Sequence, residues 1–411
     1  MINTLNSDFD IMKIALVCPA SLPATQFGGI MFLCVNISKK LSDIGHNLTI
    51  YTTNLDFANN SNTFNKKLPR SERVEKFSIK RTNVWFSLFL FFVNPGMYKQ
   101  MMNDDFDIIH AVGIRSFQAI IAAIVSKKKK VPLVISDQGG LTTHPDLIES
   151  SFKKRFLARL QQPLIKFIIN QSTKIIVPNE YEKKIFLEFT NEAKISIVKN
   201  GIDLDEIKEY NPDFCKKFDI NDDFILFLGR FHEVKGIDTL LTAINLIKKN
   251  PVFDKMKILI MGVDFGYEKR MEEMIENFDI SKKLIIIKKP KREDVISAYN
   301  ECKFLVLPSK WELSPLTPLE GFACKKTVIS TTAHGIPFTI SHNENCLLVP
   351  PSNPKNLADA ILELIQNPTK CKKLAESGFN MVSNEANLES MSNKMYSVYE
   401  KAIKLNNGNL G

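Results

Sequence analysis

Apolar residues follow two rhythms along the chain. Short, near-continuous runs of Ile, Val and Leu recur at 12–19, 47–53, 76–81, 107–112, 132–136, 174–177 and 195–199 in the first half. In the second half they recur at 224–228, 257–261, 284–287, 304–308, 327–330 and 347–349. Continuous runs, rather than strict alternation, are what parallel strands buried on both faces require. Between them the spacing changes to three and four. Ile30, Leu33, Cys34, Ile37 and Leu41 share one helical face, as do Ile237, Leu240, Leu241, Ile244 and Ile247. Strand–helix alternation through both halves predicts an α/β protein with two doubly wound, Rossmann-like domains. The break falls near 202–221, a polar, acid-rich stretch containing Asn211 and Pro212. Leu388, Met391, Met395, Val398 and Ile403 predict a final helix. Two such domains leave a central cleft between them, the usual place for a ligand.

Composition narrows the class. With 411 residues, 44% hydrophobic and 24% charged, the chain has material for two or three cores and is neither disordered nor fibrous. The longest apolar stretch, 84–93, is too short to span a bilayer. The first eleven residues are polar, with Asp8 and Asp10, and do not read as a signal peptide. A cytoplasmic protein, soluble or peripheral to the inner face of the membrane, is therefore expected. The seven cysteines form no C-x-x-C pair, and Cys18, Cys34, Cys302 and Cys346 lie in apolar runs, which predicts reduced core thiols. The six histidines show no zinc-ligand spacing.

The net charge of +9 is uneven. Residues 1–200 hold 26 basic against 16 acidic residues, whereas 201–411 hold 28 against 29. Most lysines are scattered doublets on a solvated surface, which disfavours nucleic-acid binding. The stretch 150–179 has six basic residues and no acid, interleaved with Phe152, Phe156, Leu157, Leu160, Leu164, Ile165 and Ile168. A basic helix over 152–170 reads first as a helix packed on a sheet and second as a contact with an anionic membrane.

Candidate chemistry concentrates in loops after strands. Gly28 and Gly29 precede a helix, where backbone N–H groups can approach an anion, although no G-x-G-x-x-G is present. After 224–228 come Gly229 and Arg230, then Lys235 and Gly236: one forked cation and one point charge, a pairing suited to a diphosphate. After 304–308 come Glu312 in a loop and Glu320, read as opening the next helix, where the dipole would favour a carboxylate contacting sugar hydroxyls or merely capping the helix. Three D-x-D strings (Asp8–Asp10, Asp105–Asp107, Asp203–Asp205) follow no buried strand, so no metal site is expected.

Taken in order, Gly28-Gly29, Gly45-His46, Asp107 to His110, Asn200 to Asp203, Gly229-Arg230 with Lys235-Gly236, and the Glu312-x7-Glu320 pair resemble the family-4-type retaining glycosyltransferases of the GT-B fold over 12–405. The resemblance implies an acceptor-side domain at 12–205, a donor-binding domain at 206–385 and a helix at 386–405 crossing back to the first domain. It implies a nucleotide-diphosphate sugar donor, UDP- or GDP-linked, as substrate, with no cofactor and no metal. Arg230 and Lys235 would hold the diphosphate, Glu320 the ribose and Glu312 the transferred sugar. Gly28, Gly29, Gly262, Leu316 and Thr317 would add donor contacts, His110 would sit beside the donor sugar, and Asp137, Gln138 and Gly139 would line the acceptor side. The implied reaction moves a sugar to a glycan, glycolipid or glycoprotein precursor.

Pro315, Lys325-Lys326 and Cys346 depart from the common pattern of that family, and Pro315 removes an N–H that could have met a phosphate. The alternatives are a catalytically silent carbohydrate- or nucleotide-binding subunit and a GT-B-fold sugar-nucleotide epimerase. A glycoside hydrolase would use Glu312 and Glu320 as an acid/base pair, with no need for Arg230 or Lys235. The run Trp85–Val93 is assigned to core packing, with an apolar acceptor channel for a lipid-linked sugar as the second reading.

Overall fold

The computed structural model describes residues 11–24, 29–56, 63–88, 91–137, 141 and 152–408, with backbone only at 63, 152–158 and 160. Gly28, Gln138 and Gly139 lie outside the described residues. The first half supplies β1 (Lys13–Val17), β2 (Asn47–Thr53), β3 (Leu55–Asp56), β4 (Thr63–Phe64), β5 (Ser71–Val74), β6 (Phe77–Thr82), β7 (Phe86–Leu88), β8 (Phe91–Val93), β9 (Ile108–Val112), β10 (Leu133–Ser136), β11 (Lys174–Val177) and β12 (Ile195–Ile197). Eight of these form one sheet in the order β12-β11-β10-β9-β1-β2-β6-β5, parallel except for β5, which turns back on β6 at the edge. β3 pairs with β4, and β7 with β8, in separate antiparallel hairpins.

The second half supplies β13 (Asp223–Leu228), β14 (Met256–Gly262), β15 (Leu284–Lys288), β16 (Leu305–Val306), β17 (Val328–Thr331) and β18 (Cys346–Val349). They form an all-parallel sheet in the order β15-β14-β13-β16-β17-β18, the doubly wound order in which the chain reverses its direction of travel once. The reversal lies between β13 and β16 here and between β1 and β9 in the first sheet.

Burial explains the continuous apolar runs. In β1, Ile14 and Leu16 enter one core cluster while Ala15 and Val17 enter the cluster on the opposite face. In β13, Ile225 and Phe227 face one way and Phe224 and Leu226 the other. These two strands are thus covered on both faces, and polar alternation has no place in them. Helix Ile237–Ile247 buries Ile237, Leu240, Leu241, Ile244 and Ile247, and helix Gly29–Asp43 buries Leu33, Cys34, Ile37 and Leu41. All seven cysteines are free. Among the described residues no helix is long and apolar enough to cross a membrane.

One segment differs from expectation. The run Trp85–Val93 is a hairpin rather than a buried strand: Phe92 and Val93 enter the interior, but Trp85, Phe86 and Leu88 are exposed. The reason is that, among the described residues, β7 pairs with β8 alone and its three residues stay exposed. Helix Phe152–Gln171 takes the first of its two readings in its second half, where Ile165, Ile168 and Ile169 pack onto the first sheet's core and Lys166 is exposed. Lys153, Lys154 and Arg155 fall where only backbone is described.

The final helix, Leu388–Gly408, places Leu388, Met391, Met395, Val398, Tyr399 and Ala402 in the same cluster as Ile14, Leu16 and Leu33 of the first half. Its polar anchor is His110 on β9. The ring has no exposed surface, and its nitrogens meet Tyr399 Oη and Ser136 Oγ, each at 2.7 Å. Burial holds the imidazole neutral and lowers its pKa to about 3. In the unfolded chain the ring takes up a proton near its ordinary value of 6.5, so the unfolded state binds more protons between those two values. Stability should therefore fall as pH drops from about 6.5 toward 3, by up to about 1.4 kcal/mol per pH unit from this group. Urea unfolding of the H110N variant at stepped pH should show a shallower acid limb than the parent chain. An unchanged limb would mean that His110 does not refuse the proton.

Candidate active site

Two loops leave the C-terminal ends of β13 and β16, on either side of the reversal in the second sheet. The first carries Arg230 and Lys235. Arg230 is exposed and lies over the Phe265 ring at 5.0 Å. A tight 3-10 turn, Glu233–Lys235, follows, with His232 Nδ1 accepting from the Val234 N–H at 3.2 Å. The turn ends at Gly236, whose φ is +69° and where an added Cβ would lie 1.9 Å from the Pro308 carbonyl oxygen. Only glycine lets the first loop close onto the exit of β16 and enter helix Ile237–Ile247. Gly262, at the end of β14, makes a similar close approach, with a Cβ falling 1.9 Å from Gly229 O. It therefore shapes the Arg230 loop through its backbone.

The second loop carries Ser309, Lys310, Trp311 and Glu312, and is tied to the first by Lys310 N–H donating to Val234 O at 2.8 Å. This closure brings Lys235 Nζ onto Glu312 Oε1, where Ser309 Oγ also donates at 3.3 Å. Both members of the ion pair are largely withdrawn from solvent, 15% and 13% exposed. Lys310 Nζ pairs instead with Asp238 Oδ2 at 2.7 Å.

Glu320 does not open its helix. Helix Leu316–Ala323 starts four residues earlier, because Pro315 supplies the fixed φ that suits a helix entry. Glu320 stands in the second turn and is not a cap. Tyr299 Oη donates to its Oε2 at 2.6 Å, and Arg292 Nη1 meets its Oε1 at 2.8 Å. The N-cap position of this helix is Pro315, which gives the first-turn N–H groups no side-chain cap. Gly29 reaches the same place from the first half: its Cβ position is 3.3 Å from Leu316 Cδ1.

Arg292 is the residue that sequence reading missed. Its Nε and Nη2 grip both oxygens of Glu206 at 3.0 and 2.8 Å, its Nη1 holds Glu320, and its guanidinium lies 5.4 Å from the Phe32 ring. One fork joins Glu206 in the connection between the halves, Glu320 of the second half and the first helix of the other half. Burial works against its charge, but Glu320 and Glu206 outweigh it and raise the pKa further. Its partners lie far away in sequence, so no local pattern marks it. Glu312 and Glu320 each have their own cation, Lys235 and Arg292.

On the first half, His110 departs from the expected place beside a sugar. Wholly buried with both ring nitrogens engaged, it offers no atom to a ligand in this structure. Asp137 is buried at the end of β10, accepting from the Ile114 N–H at 3.4 Å and from the Leu141 N–H. Beside it are two further residues absent from the sequence reading. Arg115 has its pKa lowered by burial against the pull of Asp137, and Glu182 has its pKa raised by burial and then by Asp137. They follow the ends of β9 and β11, the two strands that flank β10. The two edges meet directly: Asn179 Nδ2 donates to Leu313 O at 2.8 Å, Asn200 Nδ2 to Ser314 Oγ at 3.2 Å, and Tyr181 Oη lies 3.0 Å from His334 Nδ1. Of the other D-x-D strings, Asp107 accepts the Lys13 N–H at 2.7 Å and Asp203 those of Asp205 and Glu206 at 3.0 and 3.3 Å, and no group of three or more acidic, His or Cys ligands gathers among the described residues.

Comparison with known proteins follows this division of the chain. Residues 27–206 match Glycosyltransferase Family 4, and residues 213–381 match Glycosyl transferases group 1. An uncharacterised glycosyltransferase of Methanocaldococcus jannaschii is 27% identical over 371 residues, 90% of this chain and 92% of the relative. Sucrose-phosphate synthase from Thermosynechococcus elongatus superposes with a TM-score of 0.75 at 18% identity, over 96% of this chain and 100% of that one. HepE of Anabaena, solved in complex with UDP-glucose, gives a TM-score of 0.72 at 17% identity over 95% and 100%. With both halves matched, and the join at 206–213 falling between the two sheets, the chain belongs to the family 4, group 1 glycosyltransferases and is an enzyme of the GT-B fold.

Proposed function

We propose that the protein transfers a sugar from a UDP-linked donor to a hydroxyl of a glycan, glycolipid or glycoprotein precursor, with retention of anomeric configuration and without a metal ion. The observation that carries this reading is the convergence of Arg230, Lys235, Glu312 and the uncapped start of helix Leu316–Ala323 on one strand-reversal point. The precedent of HepE with UDP-glucose favours UDP over GDP.

In this reading Arg230 forks onto the diphosphate, Lys235 adds a point charge, and the N–H groups of Leu316 and Thr317 complete the anion site with Gly29 across the cleft. Their field is strongest for the charge that develops as the glycosyl–phosphate bond breaks, which is the electrostatic contribution to catalysis. The acceptor oxygen forms the new bond to the anomeric carbon, and its proton passes to an oxygen of the departing diphosphate. Glu312 accepts a hydroxyl of the transferred sugar, and Glu320, oriented by Arg292 and Tyr299, accepts from the ribose. Asp137, with Arg115 and Glu182, faces the acceptor.

Calorimetric titration with UDP and GDP, each with and without EDTA, tests the donor site. UDP should bind equally in both conditions. R230A and K235A should each weaken it by about ten- to a hundredfold, the range for a lost charge-assisted hydrogen bond. No binding of either nucleotide by folded protein would overturn the donor assignment in favour of a silent subunit. The Lys235–Glu312 pair makes a second, opposite expectation. Because a diphosphate must compete with Glu312 for Lys235, E312Q should bind UDP about threefold or more tightly while transferring sugar more slowly. Weaker UDP binding by E312Q would show that no such competition exists.

Arg292 gives a third expectation. R292A strands two carboxylates and should cost about 1–3 kcal/mol of stability together with nucleotide affinity. R292K restores the charge without the fork and should recover only part of each. Thermal melting and UDP titration of both variants read the two effects separately, and full recovery by lysine would rule out the bidentate role.

A further inference from the structure

The hairpin β7–β8 presents an apolar surface that the transfer chemistry does not use. Trp85 is 74% exposed, Phe86 60% and Leu88 47%, whereas Phe92 on the facing strand is wholly buried. The other exposed large apolar side chains among the described residues fall singly along the chain, which is ordinary, but three within four residues are not. The base of the hairpin is well anchored. Asn54 Oδ1 accepts the Val84 N–H at 3.0 Å, Gln118 Nε2 donates to Phe92 O at 2.8 Å, and the Phe92 and Phe91 rings meet Phe64 and Phe117 edge-on. A rigid base holding out uncovered aromatic and aliphatic side chains is a surface built for contact.

The charge around it selects the occupant. Residues 63–102 hold eight basic against two acidic residues. Lys66, Lys67 and Arg70 are exposed, and they follow directly on Phe64, whose ring packs on the hairpin, and on Asn65, whose N–H donates to Asn54 O at 2.9 Å. A second copy docked about a two-fold axis would set this basic border against itself, and three side chains offer far less than the ~1,000 Å² of a stable dimer. An anionic bilayer satisfies both features. Aromatic side chains sit in the headgroup region, and lysines gain from the negative surface potential.

We propose that the paired strands Phe86–Leu88 and Phe91–Val93, led by Trp85, Phe86 and Leu88 and bordered by Lys66, Lys67 and Arg70, dock the protein on an anionic lipid bilayer. The hairpin follows β6, which runs parallel to β2 and β1, so it leaves the same edge of the sheet as Asp137. Docking therefore turns the acceptor-side edge toward the lipid surface. The docking itself does not depend on the donor or acceptor assigned above.

Sedimentation of the full chain with vesicles tests it, using phosphatidylcholine alone and equal parts phosphatidylcholine and phosphatidylglycerol. The protein should sediment with the anionic vesicles, and the W85S/F86S double variant should lose about tenfold or more in partitioning, since both changes remove apolar area from the contact. K66E/K67E should lose about tenfold or more as well, with salt weakening the parent's binding. In a W311F background Trp85 is the one remaining tryptophan, and its emission should shift to the blue on anionic vesicles. UDP binding retained by W85S/F86S would show that this variant is folded. Three results would overturn the proposal: no vesicle binding by the parent chain, binding that survives W85S/F86S but is lost in K153E/K154E of the basic helix, or a lipid-free dimer that W85S/F86S converts to monomer.

Discussion

A parallel sheet built outward in both directions from an inner pair of strands has one place where neighbouring crossovers diverge, and the loops there cannot be covered by their own helices. This chain has two such places, between β1 and β9 and between β13 and β16, and their C-terminal edges face one another. Every residue in the proposed donor site depends on that geometry. Arg230 and Lys235 arrive from one side of the second reversal and Glu312 from the other, while Gly29 comes from the first reversal to lie against Leu316. The glycine at 236 is what lets the two loops of the second reversal close.

Bringing so many charged groups together at a half-buried edge requires that each be compensated before any ligand arrives. Lys235 and Glu312 neutralise each other, Lys310 is matched by Asp238, and Arg292 serves two carboxylates at once. An uncompensated charge at such depth would cost several kcal/mol. Arg292 differs, because it also joins Glu206, in the segment connecting the halves, to Phe32 of the opposite half. It places the donor-side carboxylate and the connection between the sheets under one constraint.

The two halves are joined twice, and the second joint fixes the role of His110. Ile202 exchanges backbone hydrogen bonds with Ala386 and Leu388, so the outgoing and returning segments pass side by side. The final helix then enters the first half's core through Met391, Met395 and Tyr399. A histidine in the middle of β9 with a free face could have served a substrate. Covered by this helix, it holds Tyr399 and Ser136 instead.

Much of this was legible in the residues alone. The parallel strands of the two sheets fall within a residue or two of their apolar runs, the helices carry the three-and-four spacing of a buried stripe, and the edge strand β5, half exposed and polar, left no such run. The Arg230, Lys235 and Glu312 loops were legible because cations and carboxylates after a buried strand are local features of the sequence. Arg292, Glu182 and Arg115 were not, since their significance lies in partners supplied by other strands and helices. Nor was the fate of Trp85–Val93: apolarity records only that a segment avoids water, and whether a layer covers it depends on which strand it pairs with. Sequence determined the elements and their local chemistry, because both follow from nearest neighbours along the chain; tertiary structure alone decided which charges meet, which histidine is sealed and which apolar hairpin stays bare, because those are set by contacts between residues that the chain brings together only by folding.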